Sequence, residues 1–303
     1  MADVLREMPE LEPEIITAAK EGSLVLFIGA GISRLVGHQS WDGFAYAVVE
    51  QLVTNRVINH YEKEMINALP DPRKRLSIAK ILDEESENGT EVDYKNIFTL
   101  SKEYSDIYKS INEFGCTFVT TNYDKLIAPE LSKGKNENEW RYFHRQDLLS
   151  ANLDQKGAVI HLHGCIDEPG SMVITTTDYL NHYSSSEIPE FLEKLFLNKT
   201  VLFLGYGLEE TEILEYVLKS SSQAGAPETK LFISQGFFSG EQLLFDKLSK
   251  YYRKSFNAKL IGFLKDHENF EQQTSIIEKW VNLLDFGGAR LADQLAGLDD
   301  DLS

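Results

Sequence analysis

The residues best placed to do chemistry are two histidines, an asparagine and an aspartate, each at the end of an apolar run. His163 closes Val159-Ile160-His161-Leu162-His163-Gly164, immediately before a glycine that opens a loop. A histidine there projects from the strand end, and because it titrates near neutral pH it can act as a general base. Strand alternation puts His161 on the same side, deeper in the strand, where it is expected to be structural. Asn122 and Asp124 lie in Thr120-Thr121-Asn122-Tyr123-Asp124, again just past an apolar run. The Asn122 amide could hold a ribose hydroxyl or a water, and Asp124 could fix the loop or a ribose. Both residue types are also ordinary turn formers, because they bond their own backbone.

Two glycine motifs complete the set. Gly29-Ala30-Gly31-Ile32-Ser33 follows Leu24-Val25-Leu26-Phe27-Ile28, and Gly205-Tyr206-Gly207 follows Val201-Leu202-Phe203-Leu204. Such glycines let backbone N–H groups approach a pyrophosphate, which a helix N-terminus then stabilises. Tight turns alone account for either motif equally well. The first lacks the third glycine of G-x-G-x-x-G, since position 34 is Arg34, so a hydride-transferring dehydrogenase is a poor match. Four such motifs at strand ends are expected to share one crevice at the carboxyl edge of an open α/β sheet, and that crevice is expected to hold a nucleotide.

The elements that must position these residues are legible as strands alternating with helices. Strands are expected at Leu24–Ile28, Cys116–Thr120, Ala158–His163, Thr200–Leu204, Lys230–Ser234 and Lys259–Phe263, with a minor one at Met172–Thr175. Helices are expected at Pro13–Gly22, after a cap at Asp42, and at about 188–198, 209–222, 240–251 and 268–284. This predicts an α/β, Rossmann-like, doubly wound parallel sheet of about six strands. From 55 to 113 the pattern is helical, broken by Pro70-Asp71-Pro72 and Glu87-Asn88-Gly89-Thr90, with Ile97, Leu100, Tyr104, Ile107 and Ile111 on one face. The expected organisation is thus a nucleotide-binding domain beginning over 1–54, a helical insertion over 55–113, the remaining catalytic domain over 114–285, and an acidic tail over 286–303. Lys133–Glu139 is polar and reads as a loop. Leu291, Leu295 and Leu298 make too short a helix to stand alone, so the tail frays or docks on another subunit.

Composition narrows the function classes. The 303 residues are 42% hydrophobic and 26% charged, ordinary for a globular protein. No apolar run approaches the roughly 18–20 residues of a membrane span, and the acidic start lacks a secretory h-region. A net charge of −18 argues against nonspecific nucleic-acid binding, which depends on Lys and Arg neutralising phosphates. Cys116 and Cys165 cannot form a disulfide framework or a four-cysteine zinc site, and the two histidines lack a further ligand pair at recognisable spacing. No metal and no zinc are expected, and the expected address is cytoplasmic.

In sequence and order the four motifs resemble the sirtuin family. Gly-Ala-Gly-Ile-Ser is similar to the sirtuin glycine loop, Thr-Thr-Asn-Tyr-Asp to its Thr-Gln-Asn-Ile-Asp, and His163-Gly164 to its catalytic His-Gly. Gly205-Tyr206-Gly207 lies where sirtuins carry Gly-Thr-Ser. The resemblance implies His163 as general base and Asn122 as the residue that positions the nicotinamide ribose or attacking water. It implies Gly29, Ala30, Gly31, Ser33, Asp124, Gly205 and Tyr206 as the lining of an NAD site.

Two departures shift the expected activity. Where sirtuin deacylases carry Pro-Asp-Phe-Arg, this chain has Gln39-Ser40-Trp41-Asp42-Gly43-Phe44, and where they carry a four-cysteine zinc module, Cys165 stands alone. The acyl-lysine tunnel is built partly from those pieces. The chain resembles instead the sirtuin-like effectors of bacterial antiphage systems, which share the Thr-Thr-Asn-Tyr-Asp form, the His-Gly and a downstream Asp-Tyr, here Asp178-Tyr179. That resemblance implies hydrolysis of NAD to nicotinamide and ADP-ribose, abortive infection, a homo-oligomer, and gating in trans by a partner such as a HerA-like ATPase. At this length no large fused sensor is expected. An NAD-dependent deacylase, a non-catalytic NAD or ADP-ribose sensor and a structural scaffold stand as the alternatives.

Overall fold

A strand covered on both faces shows no polar alternation, and Leu24–Ile28 is buried at every position. It is the central strand of the computed structural model, which describes residues 5–87, 91–99, 106–129, 136, 139–206, 211–222, 229–265 and 272–284. The chain begins α1 (Pro13–Glu21), β1 (Leu24–Ile28), α2 (Ala30–Leu35) and α3 (Trp41–Thr54). It continues through α4 (His60–Asn67), α5 (Pro72–Glu84), α6 (Tyr94–Ile97) and α7 (Asp106–Asn112) to β2 (Thr117–Thr120), β3 (Arg141–Tyr142) and β4 (Val159–His161). The second half comprises α8 (Thr176–Tyr183), α9 (Glu187–Asn198), β5 (Thr200–Leu204), α10 (Thr211–Ser222), β6 (Leu231–Phe237), α11 (Gln242–Phe256), β7 (Ala258–Leu264) and α12 (272–284).

The seven strands form one sheet in the order β3-β4-β2-β1-β5-β6-β7, and every pairing is parallel. The α/β, doubly wound class expected from the sequence is therefore the observed one. From β1 the chain winds toward β2 on one side and later returns to β5 on the other, so β1 marks a topological switch point. Alternate residues of β1 feed opposite cores. Leu24, Leu26 and Ile28 pack with Ile15 of α1, Ile107 and Ile111 of α7 and Trp280 of α12. Val25 and Phe27 pack with Phe191 and Leu195 of α9, Val217 of α10 and Phe245 of α11. A third core joins α3, α4 and α5 through Phe44, Val48, Leu52, Ile66, Leu76 and Ala79, with Tyr94 and Ile97 of α6 packed against it, and it takes in Tyr123 and Ile174 from the sheet's loops. Among the described residues no helix is long and apolar enough to cross a membrane.

Several local expectations are revised. There is a seventh strand, β3, whose two residues Arg141 and Tyr142 pair with Val159 and Ile160. The segment Met172–Thr175 forms no strand and leads directly into α8. Ser40, not Asp42, caps α3: its Oγ accepts from the Gly43 amide at 3.1 Å, while Asp42 sits in the first turn and pairs with Arg75. A cap must precede the first helical residue, and the helix begins at Trp41, three residues before its buried apolar pattern starts at Phe44. The single face drawn through Ile97 and Ile111 is divided, because Ile97 packs in the third core and Ile111 beneath the sheet. Leu100, Tyr104, Gly207, most of the 133–139 loop and the tail beyond 284 lie outside the described residues. The stop of α1 holds: Gly22 takes a left-handed conformation at φ 71°, and the Ser23 amide closes on the Ala18 carbonyl at 2.9 Å.

The loops after β1 and β5 cross with no room between them. The Gly29 amide donates to Leu204 O at 2.9 Å and the Gly31 amide to Gly205 O at 2.8 Å. A Cβ at Gly205, which has φ +61°, would stand 2.5 Å from the Ile32 nitrogen. Gly205→Ala is therefore expected to cost at least about 3 kcal/mol in urea unfolding, through both backbone strain and overlap. Gly240→Ala, where nothing lies within 4 Å, is expected to stay within about 0.5 kcal/mol.

Candidate functional site

At the carboxyl ends of β1, β2, β4 and β5 the four motifs surround one cavity of ≈ 330 Å³, a size usual for small-molecule sites. Ala30, Ser33, Asn122, Asp124, His163, Gly205 and Tyr206 all line it. Gly29 and Gly31 stand behind this lining. A Cβ at Gly29 would stand 2.6 Å from Gly205 O and 2.8 Å from Tyr206, and one at Gly31 would stand 2.7 Å from Gly205 O. These two glycines permit a backbone crossing of the chain with itself, where the sequence suggested the approach of phosphates.

A buried polar network holds the floor. Thr120 Oγ1 donates to Ile28 O at 2.8 Å and accepts the Asn122 amide at 3.0 Å, fixing the turn after β2 against β1. The Asn122 side-chain amide donates to Gly29 O at 3.1 Å and to Ser33 Oγ at 2.8 Å. The carbonyl at Gly29 requires a donor, which settles the orientation of the amide. Both amide hydrogens are thereby engaged within the protein. Ser33 Oγ in turn donates to Asp124 Oδ2 at 2.8 Å and lies 3.0 Å from the Tyr108 hydroxyl. The other carboxylate oxygen of Asp124 accepts the Leu126 amide at 3.1 Å. Burial, with Asp124 adding to it, pushes the Tyr108 hydroxyl well above its usual pKa, so it remains a neutral hydroxyl.

His161 in β4 and His163 just beyond it have separate fates. His161 is wholly buried, with Nδ1 2.9 Å from Asn122 O and Nε2 on the Arg141 guanidinium. Burial, reinforced by Arg141, lowers its pKa to about 3. It is structural, as expected. His163 lies past the last paired residue of its strand and is 2% exposed. Its Nε2 is 2.8 Å from the Tyr183 hydroxyl, and its Nδ1 has a looser 3.5 Å contact with the Tyr179 hydroxyl. Tyr179 lines the cavity, which places the looser nitrogen on that side. Burial first, then His182 and Arg73, hold His163 well below pKa 6.5, so near neutral pH it is an uncharged proton acceptor.

The motifs did not disclose the remaining walls. Trp41, Phe44, Phe98 and Tyr123 form an aromatic wall, with ring centroids 5.1 Å apart for Phe44 and Phe98 and 6.1 Å for Trp41 and Tyr123. Arg73 places its guanidinium 3.7 Å over the Tyr179 ring. His38 lines the cavity with its Nε2 buried and without a hydrogen-bond partner. The Trp41/Phe44 spacing at the start of α3 and an arginine just after the Pro70-Asp71-Pro72 break were the available signals. No group of three or more His, Cys, Asp or Glu residues that could hold a metal occurs among the described residues.

A family model described as SIR2-like domain matches residues 116–268, half of the chain. The chain is 25% identical over 210 residues to defense-associated sirtuin 2 of Bacillus subtilis, covering 66% of this chain and 19% of that protein. It is 23% identical over 204 residues to the NAD(+) hydrolase ThsA of Bacillus cereus (strain MSX-D12), covering 65% and 40% respectively. It is 25% identical over 205 residues to the NAD(+) hydrolase ThsA of Enterococcus faecium, covering 65% and 39%. The chain thus matches less than half the length of each of these relatives.

Buried neutral histidines make stability depend on pH. His161 and His182 have pKa values lowered from 6.5 to about 3 and about 4, so below pH 6.5 the unfolded chain binds protons that the folded one refuses. Stability from these groups is present above pH 6.5 and is lost as pH falls toward the folded values. Each is expected to remove about 2 kcal/mol between about pH 6.5 and pH 5. Urea midpoints should fall over that range, and His182→Gln should lessen the slope.

Proposed function

The chain belongs to the SIR2-like family, and from that premise we propose that it hydrolyses NAD+ at the nicotinamide–ribose bond, releasing nicotinamide and ADP-ribose. The observation that carries this reading is a neutral, buried histidine held by tyrosines on the same cavity as the Ser33–Asn122–Asp124 network. The names of the relatives, a defence-associated sirtuin and two NAD(+) hydrolases, support the same chemistry and a role as the NAD-depleting effector of a bacterial antiphage system.

In this reading the C1′–N bond breaks with its electron pair moving onto the nicotinamide ring, which leaves neutral. The ribose becomes oxocarbenium-like, and a water adds at C1′ while its proton passes to His163. Asn122 acts as a strut: its donors lock the glycine loop to Ser33, and its amide oxygen is the polar atom left to face ribose or water. Ala30, Ser33, Asp124, Gly205 and Tyr206 bound the substrate, with Gly29 and Gly31 setting their spacing. Arg73 supplies a cation toward the substrate's phosphates, and the aromatic wall keeps bulk water from the reacting carbon. The sirtuin-like resemblance adds assembly into a homo-oligomer in the cytoplasm, with gating in trans by a HerA-like ATPase.

NAD+ loss and nicotinamide release are to be followed by chromatography with no acyl peptide present. His163→Ala is expected to lower turnover by about 100-fold or more while circular dichroism remains native. Because the depressed pKa keeps His163 neutral, the rate should stay level from pH 8 down to 6.5 and decline only below that. Undiminished NAD+ loss in His163→Ala rejects the assignment.

A further inference from the structure

A second cavity, of ≈ 320 Å³, adjoins the first without belonging to it. The two share α8 as a wall. Tyr179 and Tyr183, four apart, turn one face of the helix to His163, whereas Asp178 and His182, also four apart, lie on the neighbouring face that lines the second cavity. His182 is 3% exposed, and its Nε2 is buried with no hydrogen-bond partner. In either tautomer that nitrogen, an N–H or a lone pair, is left without a partner in the protein. An orphan ring nitrogen of this kind in a cavity wall calls for a hydroxyl, which can donate or accept, from an occupant.

The charges around the cavity select the rest of that occupant. Asp178 is engaged: one oxygen caps α8 through the Thr175 amide at 2.9 Å, and the other is 3.5 Å from Lys80. His144 stands 3.0 Å from the Glu168 carboxylate. Arg145, exposed at the rim, takes part in none of the ion pairs among the described residues. Its guanidinium suits a carboxylate or phosphate.

We propose that this cavity is a second ligand site, for a small sugar bearing a phosphate or carboxylate, and that its occupant is felt at His163 through α8. Arg145 takes the anion and His182 Nε2 shares a hydrogen bond with a sugar hydroxyl. The ring of His182 lies 5.8 Å from that of His163, edge to face, so any shift of α8 moves both the histidine's neighbour and its two tyrosines. The site is defined by its own residues. The coupling rests on the reading of His163 as the reactive base.

Ribose 5-phosphate and inorganic phosphate serve as probes, with binding followed by calorimetry and by the ring resonances of the histidines. Saturable binding of ribose 5-phosphate is expected to shift the signals of both His182 and His163. Arg145→Ala should weaken both probes at least about tenfold. His182→Phe should weaken only the sugar phosphate, and Asn122→Ala, in the first cavity, should leave both bound. The proposal is overturned if binding is absent, if it survives Arg145→Ala and disappears in Asn122→Ala, or if His163 signals do not move on saturation. An adventitious phosphate affinity alone, equal for both probes and unmoved by His182→Phe, overturns it too. Absence of NAD+ hydrolysis with ribose 5-phosphate binding intact would refute the preceding reading and leave this site standing.

Discussion

Everything at the site depends on two loops that pass each other at backbone contact. β1 and β5 are neighbours in the sheet, and their carboxyl ends must each turn away without colliding. Gly29, Gly31 and Gly205 make that possible by having no Cβ, and two amide-to-carbonyl bonds then lock the crossing. The crossing sets where α2 begins, which sets Ser33. Ser33 is the shared partner of Asn122, Asp124 and Tyr108, so the floor of the cavity is determined by a contact none of its own side chains makes.

Burial governs the chemistry above that floor. Removing histidine from water disfavours the imidazolium, and the nearby positive groups Arg73 and Arg141 push in the same direction. Neither histidine therefore carries a charge near neutral pH, yet their surroundings differ. His161 has its ring nitrogens on a backbone carbonyl and a guanidinium, whereas His163 has hydroxyl neighbours, one of them distant enough to yield. Two residues along one chain separate a structural histidine from a candidate base, because the ladder stops at His161 and the chain turns at Gly164.

The helical unit between β1 and β2 has a core of its own, which explains how so long an interruption coexists with a continuous sheet. Its core is nonetheless closed by Tyr123 and Ile174, residues from the loops that carry Asn122 and lead to α8. Packing of the helices and shaping of the cavity wall are thus one event. The same economy appears at α8, whose Thr175–Asp178 capping box anchors a short helix with tyrosines toward one cavity and His182 toward another. A helix of eight residues has little stability by itself, so its position is set by what it packs against, and a ligand on one side can be felt on the other.

How much of this was legible follows from which forces act along the chain and which act across it. Largely apolar runs disclosed β1, β2, β4, β5, β6 and β7, because burial on both faces favours apolar residues along the whole strand. Glycine, asparagine and histidine just after those runs disclosed the site, since a parallel sheet must bring the carboxyl ends of its strands to one edge. The strand β3 was not legible: two residues paired at an edge leave no periodicity, and Arg141 is buried there only because it meets His161 and Ile127 O. Nor did Met172–Thr175 betray that its apolar residues complete the helical core without joining the sheet. The sequence by itself determined the class of fold and the cluster of motif residues. Only the tertiary structure decided that Gly29 and Gly31 serve the chain's own crossing, that Arg73, His38 and the aromatic wall close the cavity, and that Arg141 meets His161 while Tyr183 meets His163. Those outcomes depend on contacts between residues far apart in the chain, which no local pattern encodes.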